Sequence, residues 1–171
     1  MIGHHGKITS ISLSSDEFYL LSAGTDRTIK LWCLRQKMLL TEYRGHIKTI
    51  WSVSFCPSGY FFVSASSDKT VKLWVTDDSK PQKVYIGHKE DVIKADFMRN
   101  PDLIISSSED LTIRIWNALT TEQLKVTRNS FSYFLSKGQL LISRWAYQGD
   151  IWLHVKLMAG WHFTICLGGK W

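Results

Sequence analysis

Through residue 127 the chain alternates apolar and polar positions in short runs separated by clusters of Ser, Asp, Asn, Gly and Pro, the signature of strands joined by tight turns. Residues 7–13 place Ile11 and Leu13 on one face of a strand, and Ser14-Ser15-Asp16-Glu17 is the turn after it. Residues 18–22, 28–34 and 38–43 are the next strands, with Thr25-Asp26-Arg27 as a tight turn. The pattern then restarts. Residues 49–55, 60–65 and 70–75 alternate in the same way around the turns Cys56-Pro57-Ser58-Gly59 and Ser67-Asp68-Lys69. A third copy follows over 92–97, 103–107, 112–116 and 123–126, with turns at Arg99-Asn100-Pro101-Asp102 and Glu109-Asp110-Leu111. Pro57 beside Gly59 is turn chemistry, and Tyr60, Phe61 and Phe62 supply β-favouring bulk immediately after it. Strands joined by turns account for the repeats throughout, so the class is all-β.

The copies are in strict register. Gly-His stands at Gly3-His4, Gly45-His46 and Gly87-His88; Asp at Asp26, Asp68 and Asp110; Trp at Trp32, Trp74 and Trp116, each step being 42 residues. A period of this length with Gly-His near its start and Trp after an apolar alternation resembles the WD repeat, whose unit is one four-stranded propeller blade. The resemblance implies a partial WD40 β-propeller of three four-stranded blades, over about 3–44, 45–86 and 87–127, forming part of a ring. The Asp that commonly follows the Trp is replaced by Cys33, Val75 and Asn117. On the repeat pattern, His4, Ser22, Asp26 and Trp32 converge into a polar staple, imidazole to carboxylate and hydroxyl to indole. The same holds for His46, Ser64, Asp68 and Trp74, and for His88, Ser106, Asp110 and Trp116. Such tetrads are structural, because each buried donor needs an acceptor. A Ser-His-Asp catalytic reading fails on the same count, since a catalytic constellation occurs once and this one occurs three times.

The period ends after Thr127. A fourth copy needs His, Asp and Trp where Ser130, Trp152 and Met158 stand. Residues 128–171 are therefore a divergent tail, expected to be irregular or poorly packed, and they hold Trp145, Trp152, Trp161 and Trp171. Residues 151–171 approach the length that spans a bilayer, but His154, Lys156 and His162 interrupt the apolar run, so no membrane association is expected.

Composition narrows the function. A net charge of +6 admits nucleic acid or acidic protein partners, yet Lys and Arg are spread along the repeats without a basic run, and any nucleic-acid contact is expected to be indirect. Cys33, Cys56 and Cys166 are far apart, with no Cys-x-x-Cys and no secretory leader at Met1-Ile2-Gly3, which fits a reducing compartment. His4-His5 lacks ligand partners and points two ways on an extended segment, so no metal is expected. There is no phosphate-binding or dinucleotide fingerprint and no Gly-x-Ser-x-Gly elbow, so neither a cofactor nor a small-molecule substrate is expected.

A narrower resemblance lies between the repeats. Tyr43-Arg44-Gly45-His46, the run Ile50 to Phe55 with Pro57 to Ser64, and Leu73-Trp74-Val75-Thr76-Asp77 with Lys80 to Tyr85 are similar to the WD-repeat TBP-associated factors of general transcription factor TFIID. A related group in histone-acetyltransferase coactivator complexes of the SAGA type shares these features. The resemblance implies a nuclear scaffold in RNA polymerase II initiation, with TBP-associated factors and histone-fold subunits as partners. The His-to-Asp contact places Lys7, Arg27, Lys48, Lys69, Glu90 and Asp91 on one rim as protein-binding candidates. Trp51 is either core or an interface anchor. Trp32-Cys33-Leu34-Arg35 also resembles the box by which some propellers dock a cullin-ligase adaptor as substrate receptors. A further alternative is a truncated propeller with no activity of its own.

Overall fold

The structure is a computed structural model that describes residues 3–128 and the segments 140–147, 150–157 and 162–166. Contacts divide the chain into two compact units, Met1–Asn129 and Ser130–Trp171.

In the first unit, β1 (Ile8–Leu13), β2 (Tyr19–Gly24), β3 (Thr28–Cys33) and β4 (Met38–Arg44) form an antiparallel sheet in chain order. A second sheet comprises β5 (Ile50–Phe55), β6 (Phe61–Ser66), β7 (Thr70–Val75) and β8 (Asp78–Ile86). The third comprises β9 (Val92–Phe97), β10 (Leu103–Ser108), β11 (Thr112–Asn117) and β12 (Gln123–Arg128). The connections are too short for a crossover, so consecutive strands pair as hairpins. The turns between the second and third strands each hold a non-glycine residue in the left-handed region: Arg27 at φ 66°, Lys69 at φ 69° and Leu111 at φ 65°. A branched apolar side chain is the worst suited of the three to that conformation. Leu111→Asn is expected to stabilise the unit by up to about 1 kcal/mol, read as a higher denaturation midpoint.

Pro81 lies inside β8 opposite Trp74. An outermost strand tolerates a residue without an N–H, and the register shifts on both sides of Trp74 accommodate it.

The sheets pack face to face. Leu21, Ala23, Ile29, Leu31 and Tyr43 of the first sheet meet Ile50, Val53, Phe55, Phe62 and Trp74 of the second. Val63, Ala65, Val71, Leu73 and Tyr85 of the second meet Val92, Ala95, Phe97, Ile104 and Trp116 of the third. Hydroxyl groups of β1 complete the first junction. Ser10 Oγ accepts from Val53 N at 3.2 Å, Ser12 Oγ accepts from Phe55 N at 3.1 Å, and Thr9 Oγ1 donates to the Ile50 carbonyl. One tyrosine crosses each junction, Tyr43 Oη donating to Thr76 O at 2.7 Å and Tyr85 Oη to Ala118 O at 2.8 Å. Burial raises both phenols above their ordinary range, so they remain donors. Tyr85→Phe leaves the Ala118 carbonyl without this donor, and a loss of about 1 kcal/mol in urea unfolding is expected.

Among the described residues of the first unit, no sheet packs on the other face of the first sheet. Ile8, Ile11 and Leu13 are 57%, 64% and 53% exposed, whereas Ile50, Val53 and Phe55, one repeat later, are 1%, 4% and 7% exposed.

In the second unit, β13 (Leu140–Tyr147), β14 (Asp150–Leu157) and β15 (His162–Cys166) form an antiparallel sheet in chain order. Trp145 is in register with Trp152, and Trp152 with Cys166. Within the divergent tail expected over 128–171, these three segments are strands. They are rich in Leu, Ile, Val, Trp and Phe, which favour extended structure whether or not the landmarks of the repeat are present. Among the described residues no helix is long and apolar enough to cross a membrane. Ser130, Met158, Trp161 and Trp171 lie outside the described residues.

Candidate protein-interaction surface

Three polar clusters support the loops. Each His precedes the first strand of its sheet, each Ser lies on the second, each Asp in the turn after it, and each Trp on the third. In the second sheet His46 Nδ1 is 2.6 Å from Asp68 Oδ2, His46 Nε2 is 2.7 Å from Ser64 Oγ, and Trp74 Nε1 donates to Ser64 Oγ at 2.8 Å. The corresponding distances are 2.7, 2.7 and 2.8 Å for His4, Asp26, Ser22 and Trp32. For His88, Asp110, Ser106 and Trp116 they are 3.0, 2.8 and 2.8 Å. The indole can only donate, and the carboxylate can only accept. The proton order is therefore forced: Trp N–H to Ser oxygen, Ser O–H to His Nε2, His Nδ1–H to Asp.

A neutral imidazole satisfies this chain, and an imidazolium does not, because the Ser hydroxyl then loses its acceptor. Burial, opposed by the paired carboxylates, holds His46 and His88 below the ordinary histidine range. Burial pushes the Asp26 carboxyl up, but hydrogen bonds from His4, His5 N and Thr28 outweigh it and hold the group at about 2. Asp68 and Asp110 lie well below the carboxylate range by the same balance, with Thr70 and Thr112 among the donors. These threonines, with Thr28, form a fifth position of the staple that the sequence reading passed over, although they also recur every 42 residues. Ser22, Ser64 and Ser106 are 3%, 0% and 1% exposed, so no reagent reaches their hydroxyls. The clusters fasten loops.

What they fasten is a rim. Thr25 N donates to Lys7 O at 2.9 Å, Ser67 N to Thr49 O at 2.9 Å and Glu109 N to Asp91 O at 2.9 Å, tying the loop before each sheet to the turn inside it. Lys7, Arg27 and Lys48 are exposed on these loops. Lys69 Nζ reaches Lys89 O at 2.5 Å and Glu90 Oε2 at 3.4 Å. Trp51 is not core: it stands on β5 and is 37% exposed. Its Nε1 donates to Ser67 Oγ at 2.6 Å, and Ser67 Oγ donates to Asp91 Oδ2 at 2.5 Å. Ser67 was missed in the sequence because its repeat counterparts are Thr25 and Glu109, so nothing about its position stands out. Arg35 lies with its guanidinium 4.0 Å from the centre of the Phe18 ring. Among the described residues no group of three or more His, Cys, Asp or Glu side chains is placed to hold a metal ion.

Stacked four-stranded sheets, stapled internally and presenting rigid loops along one rim, define a repeat-built interaction scaffold. The chain matches the family model described as WD domain, G-beta repeat, over residues 1–33, 37–75 and 79–117, and it belongs to that family. The second and third matched segments each take the outer strand of one sheet together with the three inner strands of the next, so the sequence repeat straddles two sheets. Comparison with curated proteins finds no match.

Proposed function

We propose that this chain is a non-catalytic scaffold of the RNA polymerase II initiation machinery, of the TFIID subunit type, which holds TBP-associated factors, histone-fold subunits among them, against its rim. Its place is the nucleus, and any contact with DNA is indirect. The observation that carries the reading is the resemblance over residues 43–92, because two of its residues serve no need of the generic repeat. Pro81 sits in the outer strand of the second sheet alone. Trp51 is partly exposed on the rim where the other copies have Thr9 and Ile93.

The test is affinity purification of the tagged full chain from nuclear extract, with subunits identified by mass spectrometry. Recovery of TBP-associated factors is the expected result. Recovery of histone-acetyltransferase coactivator subunits alone moves the chain to the SAGA-type complex. Recovery of a cullin-ligase adaptor, lost on Arg35→Ala, replaces the reading with that of a substrate receptor, and recovery of no partner supports a chain without independent activity.

A further inference from the structure

We infer that the rim around Trp51 is a recognition site for a short acidic peptide segment carrying one large apolar side chain. The inference rests on the scaffold reading above and specifies the kind of partner the rim takes.

The first argument comes from the chain's own repeats. Trp51, Ser67 and Asp91 form one hydrogen-bonded line from the second sheet to the loop that opens the third. At the preceding junction the same three positions are Thr9, Thr25 and Thr49. There Thr9 Oγ1 bonds the backbone at Ala23 and Ile50, and the two sheets still share a buried core. Packing of the repeat does not need the Trp51 line.

The second argument is the state of the indole. Its N–H is consumed by the buried Ser67 hydroxyl, and Ser67 is in turn held by Asp91. What Trp51 presents to solvent is therefore purely apolar, and its rotamer is set before a partner arrives. A preordered aromatic ring loses little entropy on binding, which is what makes such side chains effective anchors. Ile47, on the loop ahead of β5, adds a second apolar group at 72% exposure.

The third argument is charge. Lys7, Arg27 and Lys48 are exposed, and among the described residues none of them has an ion-pair partner. Lys7 stands two residues before Thr9, and Lys48 two residues before Ile50, so the bond from Thr9 to Ile50 brings the two loops together. Arg27 follows the turn that Thr25 ties to Lys7. On the other side of Trp51 the sign changes. Asp91, Glu90 and Glu109 belong to the third sheet's loops, and Lys69 is already turned toward Glu90. A ligand that places carboxylates over the first two sheets and an apolar side chain on Trp51 matches this field. A polyphosphate chain, uniformly negative along its length, meets repulsion at Asp91.

The experiment is fluorescence anisotropy with the full chain and a fluorescein-labelled peptide, Asp-Glu-Asp-Gly-Leu-Phe. The controls are a Lys-Arg-Lys-Gly-Leu-Phe peptide and a labelled single-stranded oligonucleotide. Saturable binding of the acidic peptide alone is expected. It should weaken at least about tenfold in Trp51→Ala and in Lys7→Glu/Lys48→Glu, and remain unchanged in Lys83→Glu, an exposed cation away from the rim on β8. Trp51→Phe, which keeps the ring and gives up the N–H, should retain most of the affinity and is the informative variant if Trp51→Ala unfolds. Equal binding of both peptides, indifference to Trp51→Ala or to Lys7→Glu/Lys48→Glu, or preference for the oligonucleotide overturns the inference. Each of those results leaves the scaffold reading standing if purification still recovers TBP-associated factors.

Discussion

Trp74→Ala is expected to destabilise the unit Met1–Asn129 by about 3–5 kcal/mol, the usual cost of truncating a buried Trp. Trp74 is 0% exposed. Its ring stacks on Phe62 at 6.0 Å between centroids and 5° between planes, and Tyr43 of the first sheet approaches it edge-on at 5.9 Å. Truncation leaves a cavity at the junction of two sheets and removes a donor from Ser64. The repeat offers a matched control. Trp32 has the same hydrogen bond to its serine and is also buried, at 5% exposure, but among the described residues no aromatic ring of another sheet packs on it. Trp32→Ala should therefore cost clearly less. Urea unfolding followed by far-ultraviolet circular dichroism measures both. Equal losses would show that the tryptophans act only within their own sheets, against the packing described here.

Acidification is expected to produce the second large effect, and both kinds of titrating group act in one direction. His46 and His88 bind protons more weakly in the folded state than in the unfolded chain. The stability they contribute is complete above the unfolded histidine value near 6.5 and declines as pH falls below it. Asp26, Asp68 and Asp110 also have depressed folded values, so their contribution is complete above the unfolded carboxylate value and is lost as pH falls toward about 2, where Asp26 titrates. The melting temperature should be flat near neutrality, decline from about pH 6.5, and fall more steeply below about pH 4. Asp68→Asn should remove part of the steep acid segment while lowering stability at neutral pH, because the His46 and Thr70 donors then face a weaker acceptor. A profile in which stability rises on acidification from neutrality to pH 5 would refute the proton order assigned to the tetrads.

Much of the first unit was legible in the sequence because its hydrogen-bonding side chains recur at a constant interval. Imidazole, hydroxyl, carboxylate and indole at fixed offsets admit few arrangements in which every buried donor is satisfied. Strand ends differ from the expected ones by a residue or two, since alternation marks a face more sharply than it marks an end. The tyrosines that cross the junctions also repeat at 42 residues but passed unnoticed, because a Tyr on an outer strand looks like ordinary β-favouring bulk. The sheet β13–β15 was hidden for the opposite reason: its residues favour strands, but no landmark announces where each begins.

The sequence by itself determined the sheet count of the repeat region, most of the strands in each sheet and the membership of each polar cluster. All of these follow from local periodicity and from the pairing rules of a few side chains. Only the tertiary structure decided which apolar face stays open and that Ser67 joins Trp51 to Asp91. Contacts between sheets depend on which surfaces meet in space. The same residue type at the same repeat position is buried at one junction and exposed at another, according to whether a neighbouring sheet is there to exclude water.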